Sequence, residues 1–596
     1  MLKILVKKYF NNFSFFYSYL RYRMFIALAL SIAVGVLDGL GIAMFLPLLQ
    51  MVSEEGISNP DNLGYMAFLV DIYDAIGLGL NLAVVLATMV FFFALKGIGT
   101  YIKAVYNVQL LELFSRMLRI KTLKGLNSID FKTFAVSDMG RIQNSMTGEV
   151  DRVVRAQVTY FGAMQQSVMV LVYAVFAFMT DYRFAIMVII GGIAINLFYQ
   201  FIYKQTKKAS RELSYHYDVY EGKIIQHVKN FKYIKATGLL NYFGGRLHKT
   251  ILDIQTSRVK IGMLSSFMSA TREPILVLIV AVVIFVQTTY LGGALGTILL
   301  SLLFFYRALT SVTQLQNNWN QFLGVHGSVE SIKEFFNHLN ENREPNGKEK
   351  VGFVAQSLEV KNISFKYGNT AIIKDLSLCI KRYESMAFVG ESGSGKTTLV
   401  NILAALLPVN DGEFLVDGKP INNIDKESYQ QRIGYITQEP VVFDDSIYNN
   451  ITLWAAENEE NKKRFYQAIE KASLTEFLSE LEFGKDTILG HSGINLSGGQ
   501  RQRLSIAREL YKDIDILIMD EATSALDSET ERSIQENIEA LQGQYTLLIV
   551  AHRLSTIRNV DQVVFMDKGK IIAKDSFKNL TKTLPKFKKM VALQEL

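Results

Sequence analysis

From Pro274 to Tyr306 the chain runs 33 residues without one Asp, Glu, Lys or Arg. Such a stretch belongs in lipid or in a very large core. Leu291-Gly292-Gly293 breaks it with a turn signal. Thirty-three residues are too few for two full spans, so the helices must run on into charged flanks. Arg272 and Glu273 stand at the head of the first flank, where a purely structural span prefers apolar residues.

Stretches long enough to cross a bilayer fall at about 24–52, 80–112, 157–180, 183–204, 270–291 and 294–315. Past residue 312 the apolar density drops to ordinary values. The 596-residue chain therefore divides into a membrane half and a soluble half. Residues 1–22 carry Lys3, Lys7 and Lys8 around an aromatic middle, without a signal-peptide core. They read as an amphipathic helix on the inner membrane surface.

Loop charges set the orientation. Residues 51–95 hold no Lys or Arg, whereas 113–157 hold Arg116, Arg119, Lys121, Lys124, Lys132, Arg141, Arg152 and Arg155. The segment 204–263 is basic as well. The positive-inside rule puts the N-terminus, both long basic segments and the soluble half in the cytoplasm of an inner-membrane protein. The net charge of +7 reads as this bias rather than as a nucleic-acid surface. Both basic segments keep helical periodicity beyond membrane length, with turning points expected at Asp130–Val136 and Asn230–Ala236. The one cysteine, Cys379, excludes a disulfide framework and a CxxC metal site.

The polar stretch 338–350, with Pro345 and Gly347, marks a linker, taken as 329–356 between a 23–328 membrane domain and a 357–596 soluble domain. Within the latter, the apolar strand Ser385–Val389 leads into Gly390-Glu391-Ser392-Gly393-Ser394-Gly395-Lys396-Thr397, and an amphipathic helix with Thr398 comes next. This is G-x-x-x-x-G-K-[ST] in its strand–loop–helix context. Its glycines let backbone N–H groups close on phosphates at a helix N-terminus. Lys396 is expected on the β- and γ-phosphates of ATP, and the Thr397 hydroxyl on Mg²⁺. A second apolar strand, Ile514–Met519, ends in Asp520 and Glu521. Asp520 suits a role at Mg²⁺, and Glu521 suits polarising the attacking water. Gln438 comes after another apolar strand and is expected to reach Mg²⁺ and that water. His552 closes the strand "TLLIVAH", a place to sense the γ-phosphate, though a lone strand-end His is most often structural.

A P-loop alone does not separate a kinase from a pump. Ser497-Gly498-Gly499-Gln500 adds a second phosphate-type helix N-terminus about 100 residues further on. "SFKYGN" with Tyr367, the P-loop, Gln438, "LSGGQ", "DEATSALD" and His552 occur in the order of an ABC transporter nucleotide-binding domain, which this half resembles. The whole layout resembles an ABC exporter half-transporter: an α-helical six-span transmembrane domain fused to an α/β P-loop ABC domain. That resemblance implies a homodimer in which each ATP lies between the P-loop of one chain and the LSGGQ of the other. It further implies that Tyr367 stacks on adenine and Asp527 links the two sites. One departure is His491-Ser492, where such exporters usually carry Glu-Arg.

The reading is an ATP-hydrolysing exporter or flippase, with a multidrug or peptide exporter as the alternative. A soluble ABC ATPase or a channel on the same fold is more distant. Lys96, Arg272 and Arg307 lie on three spans at a shared depth, counted along the helices in the inner half of the bilayer. Cations there must face a wet cavity, which suggests an anionic headgroup. "NFKYIKATG", "MTGEV" and "FFYRAL" resemble bacterial lipid-linked oligosaccharide flippases, which implies an amphipathic anionic cargo such as a lipid-linked saccharide.

Overall fold

The structure is a computed structural model that describes residues 2–45, 47–48, 81–180, 182–286, 295–490, 493–520, 536, 539–551 and 553–594. It separates into two compact units. The first comprises Met1–Ile129 with Val136–Arg343, and the second Glu344–Leu596 with Asp130–Ala135.

The first unit is helical. A helix over Leu2–Leu20 meets the helix Arg23–Ala43 at a turn where Arg21 takes a φ of +48°. Its inward face buries Phe16, Tyr19 and Leu20, while Tyr17 is exposed. Phe16 packs edge-on against Phe114 and Phe161, so the amphipathic helix is docked by aromatic contacts as well as by its surface character.

Among the described residues, four helices are far longer than a span: Leu82–Asn127 (46 residues), Tyr182–Lys229 (48), Leu240–Val286 (47) and Leu295–Glu341 (47). At 1.5 Å per residue each is about 70 Å long, twice a ~30 Å hydrocarbon core. Asn81 starts the first of them, its side chain accepting the Val84 N–H at 2.9 Å. Leu240–Val286 carries Pro274 without ending. Short helices at Phe131–Val136 and Phe231–Ala236 occupy both expected turning points. Among the described residues, three stretches are long and apolar enough to cross a membrane: Arg23–Ala43, Leu82–Asn127 and Met139–Met179. The expected outer turn at 291–293 lies outside the described residues.

Two close approaches register these helices. A Cβ on Gly39 would fall 2.2 Å from the Phe176 ring, so that ring lies directly on the backbone of the helix Arg23–Ala43 where Gly148–Thr180 packs against it. A Cβ on Gly140 would fall 2.3 Å from the Gly222 backbone.

The linker is shorter than expected. Residues 329–341 are helical and bury Val329, Ile332, Phe335, Phe336 and Leu339 in the first unit. Those positions recur at helical spacing, and the Pro345 and Gly347 signal marks only the residues beyond the end of the helix.

The second unit is layered. A four-stranded antiparallel sheet runs β2-β1-β4-β5, from Ser357–Tyr367 (β1), Thr370–Lys381 (β2), Asp411–Val416 (β4) and Lys419–Pro420 (β5). A six-stranded sheet runs β10-β9-β3-β8-β7-β6. Its strands are Ser385–Val389 (β3), Ile433–Ile436 (β6), Ile516–Asp520 (β7), Thr546–Val550 (β8), Gln562–Asp567 (β9) and Lys570–Asp575 (β10). β3, β7 and β8 are buried throughout, as their continuous apolar runs require. Their side chains alternate between two cores: Met386, Ile518 and Leu548 face the antiparallel sheet, and Ala387, Leu517 and Leu547 face the helices beyond.

Candidate nucleotide site and membrane charge cluster

β3, β8, β7 and β6 are parallel neighbours, with Phe388 beside Val550, Asp520 beside Val550, and Ile436 beside Met519. Their carboxyl ends therefore share one edge, where open parallel sheets bind ligands. Gly390, Gln438 and Asp520 reach that edge from three of the strands.

The loop after β3 needs its glycines. Gly390, Gly393 and Gly395 take φ of +148°, +79° and +100°, and a Cβ on Gly390 would fall 2.1 Å from the Met566 carbonyl oxygen. Gly395 is the N-cap of the helix Lys396–Leu403 and supplies no side-chain cap, so the first N–H groups of that helix are left for an anion. The Ser394 hydroxyl is buried in the loop without a hydrogen-bond partner. A buried donor of this kind calls for a ligand atom. Lys396, 5% exposed, curls over the loop and donates to the carbonyls of Gly390 and Glu391 at 3.0 and 3.1 Å. The Thr397 hydroxyl donates to Asp520 at 3.3 Å, so the two oxygens expected at a metal are already adjacent. The loop and these oxygens fit a phosphate chain with a divalent cation.

Ser497 caps the helix Gly498–Tyr511 in a reciprocal capping box: its hydroxyl accepts the Gln500 N–H at 3.2 Å, and Gln500 accepts the Ser497 N–H at 2.8 Å. Tyr367 ends β1 edge-on to Phe365 with centroids 4.8 Å apart.

The first unit holds a second polar site. Asp38, the one charge between 24 and 43, is 2% exposed. Lys96 donates to it at 2.7 Å, and the Tyr173 hydroxyl donates to its other oxygen. An unpaired charge at the centre of a span costs about 2.5–3.5 kcal/mol by insertion measurements, which this pairing offsets. Lys96 keeps 26% of its side chain exposed. Arg307 is half-buried, close enough for its charge to act on Tyr173, and has no carboxylate partner among the described residues.

The family models agree with both units. The ABC transporter transmembrane region matches residues 24–339, and the ABC transporter ATPase domain matches 373–524. The chain belongs to the ABC transporters. As a member of that family it is a membrane protein that binds nucleotide and couples ATP hydrolysis to transport. It is 29% identical over 491 residues, 81% of the chain and 83% of the relative, to the ATP-dependent lipid A-core flippase of Francisella novicida. A flippase of the same description from Syntrophus aciditrophicus is 36% identical over 302 residues, 51% of this chain and 49% of that one. A bacterial Atm1-family ABC exporter with ATP bound has the same fold, with a TM-score of 0.79 over 97% of this transporter and 100% of that chain at 20% identity.

The structure thus brings the P-loop and Asp520 of the transporter together. Glu521, Asp527 and His552 lie outside the described residues, as do His491 and Ser492 and the Arg272 side chain. Lys96 does not stand as a separate cation, since it is paired with Asp38.

Two groups of candidate residues carry little signal in the sequence. Asp38 was visible as a lone carboxylate in a span, while Tyr173 looked like any span aromatic. Arg508, 6% exposed, donates to the Asn450 and Val441 carbonyls at 2.6 and 2.7 Å. It ties the LSGGQ helix to the segment after Gln438, yet its sequence reads as an ordinary helix-face cation.

Proposed function

We propose that this ABC transporter is a flippase that moves an amphipathic, anionic lipid or lipid-linked saccharide across the inner membrane. The observation that carries the reading is Arg307, a half-buried cation in an apolar helix with no carboxylate partner among the described residues. A cation so placed needs water or an anion. Relatives named as lipid A-core flippases align with four-fifths of the chain, which supports a lipid headgroup as that anion.

The chain works as a homodimer in this reading. The helices Tyr182–Lys229, Leu240–Val286 and Leu295–Glu341 supply the remaining three of six spans, with the N-terminus and ATPase domain cytoplasmic. Each ATP sits between the Lys396 loop of one copy and the Ser497 helix of the other. Thr397, Gln438 and Asp520 would hold Mg²⁺, which would neutralise phosphate charge. Tyr367 stacks on adenine, Asp527 links the sites, Glu521 positions the attacking water and His552 senses the γ-phosphate. Nucleotide closure of the two ATPase domains drives the helices to expose the cavity outward, and hydrolysis resets them.

The test is ATP-dependent movement of fluorescent lipids in proteoliposomes. Anionic lipids and lipid-linked sugars should move, and cationic drugs or peptides should not. Movement of drugs alone would overturn the reading.

A further inference from the structure

Resting on the anionic-lipid reading, the membrane cluster has a charge count that decides what it takes. Asp38 contributes one negative charge, and Lys96 and Arg307 one positive each, so the described groups sum to a single positive charge. The carboxylate is almost fully enclosed at 2% exposure, whereas Lys96 remains open at 26%. Asp38 thus has the place of a counter-ion built into the wall, and Lys96 the place of a group that meets cargo. The enclosure is firm. Tyr173 holds the second carboxylate oxygen, Gly39 next to Asp38 lets Phe176 close over the helix, and Phe176 stacks on Phe304 with centroids 5.4 Å apart. The Phe93 ring lies 5.3 Å from the Lys96 ammonium and limits its swing. A carboxylate in such a setting cannot rotate away when an anion approaches, so its repulsion is permanent.

We propose that Asp38 is a positioning and specificity residue of the lipid site: it cancels one of the two described cations, so that these groups favour a singly charged phosphodiester headgroup. Without Asp38 the described groups carry two positive charges, hold anionic lipid too tightly and release it slowly. Asp38 touches Lys96 and Tyr173, and it acts on cargo through Lys96.

The experiment uses the full chain in nanodiscs of phosphatidylcholine doped with phosphatidylglycerol, and reads lipid-stimulated ATP hydrolysis. Asp38→Asn keeps the hydrogen-bonding shape and should lower the half-stimulating fraction of phosphatidylglycerol roughly tenfold while lowering the maximal rate, since one unit charge at this range acts strongly. Lys96→Gln and Arg307→Gln should each raise that fraction. Lys96→Arg, which preserves the pair, should leave it near the starting value. The double variant Asp38→Asn with Lys96→Gln restores a count of one and should return close to the starting fraction. It also removes both members of the Lys96–Asp38 pair and strands neither charge, so it serves where the single Asp38 variant fails to fold. A double variant as weak as Lys96→Gln alone, or an unchanged fraction in Asp38→Asn, would make Asp38 a merely structural ion-pair partner and overturn the proposal while the lipid reading stands. No response to phosphatidylglycerol in the unaltered protein, with none in any variant, would overturn the lipid reading itself.

Discussion

The Thr397 hydroxyl reaches the Asp520 carboxylate at 3.3 Å across 123 residues of sequence and one intervening strand. That contact ties the end of the P-loop to the end of β7, and β7 runs directly into Glu521. Asp520, the last residue of β7, is thereby held at the edge where the phosphates are proposed to lie, and Glu521 is the next residue in sequence.

Glu521→Gln is expected to bind ATP and hydrolyse it on the order of 10²-fold more slowly, if the carboxylate polarises the attacking water. Single-turnover hydrolysis and nucleotide retention by the purified variant check this. Near-normal turnover would remove Glu521 from the role.

The shared-site arrangement makes a pairing prediction. Ser497→Arg places a bulky cation at the start of the helix Gly498–Tyr511 and should block phosphates from the partner copy. In a mixed dimer with Ser497→Arg in one chain and Lys396→Ala in the other, both changes strike the same site. About one nucleotide per dimer should still be trapped. Both changes in one chain should abolish trapping. Equal loss in the two arrangements would refute the sandwich.

The soluble half was legible because its chemistry is local. A strand, a loop with three glycines of positive φ and a helix follow each other in sequence, and the candidate residues Gln438 and Asp520 stand just past or at strand ends. Burial of β3, β7 and β8 on both faces follows from apolar runs that need no partner to be recognised. The membrane cluster was only half legible. Lys96 and Arg307 announce themselves as charges in apolar sequence, but the Lys96 bond to Asp38 spans 58 residues and depends on helix register. The helical end at 329–341 was hidden by the polar stretch just after it, although Ile332, Phe335, Phe336 and Leu339 hold the period.

Neutralising all three span cations tests the cavity as a whole. Lys96→Gln, Arg272→Gln and Arg307→Gln together should stop transport of anionic lipid and remove its stimulation of ATP hydrolysis. Flipping in proteoliposomes, with folding checked by size-exclusion and thermal unfolding, is the measurement. Full transport by a folded triple variant would sink the headgroup site.

The last expectation concerns Asp218, beyond the membrane on the helix Tyr182–Lys229. Burial raises its carboxyl from the ordinary value of 3.8 to about 6, with Glu149 adding to the rise. The Asn144 amide, donating at 2.6 Å, and the Arg141 and Arg152 guanidiniums pull the other way and are outweighed. Ser214, one turn earlier, is already bonded to Glu149. The folded state therefore holds this proton more firmly than the unfolded chain does. Its contribution to stability is full below about pH 4 and is lost as pH rises through about 6. Asp218→Asn fixes the uncharged form and keeps an acceptor for Asn144. At pH 7.5 the variant should unfold about 2–4 °C above the unaltered protein, the modest size reflecting a site partly open to water. At pH 4.5 the gap should close. Thermal unfolding of both proteins in the same detergent at the two pH values checks it. A variant that unfolds lower at pH 7.5 would mean that Arg141 and Arg152 hold Asp218 ionised, and that the seam between Met139–Met146 and Tyr182–Lys229 is an ion-pair network instead.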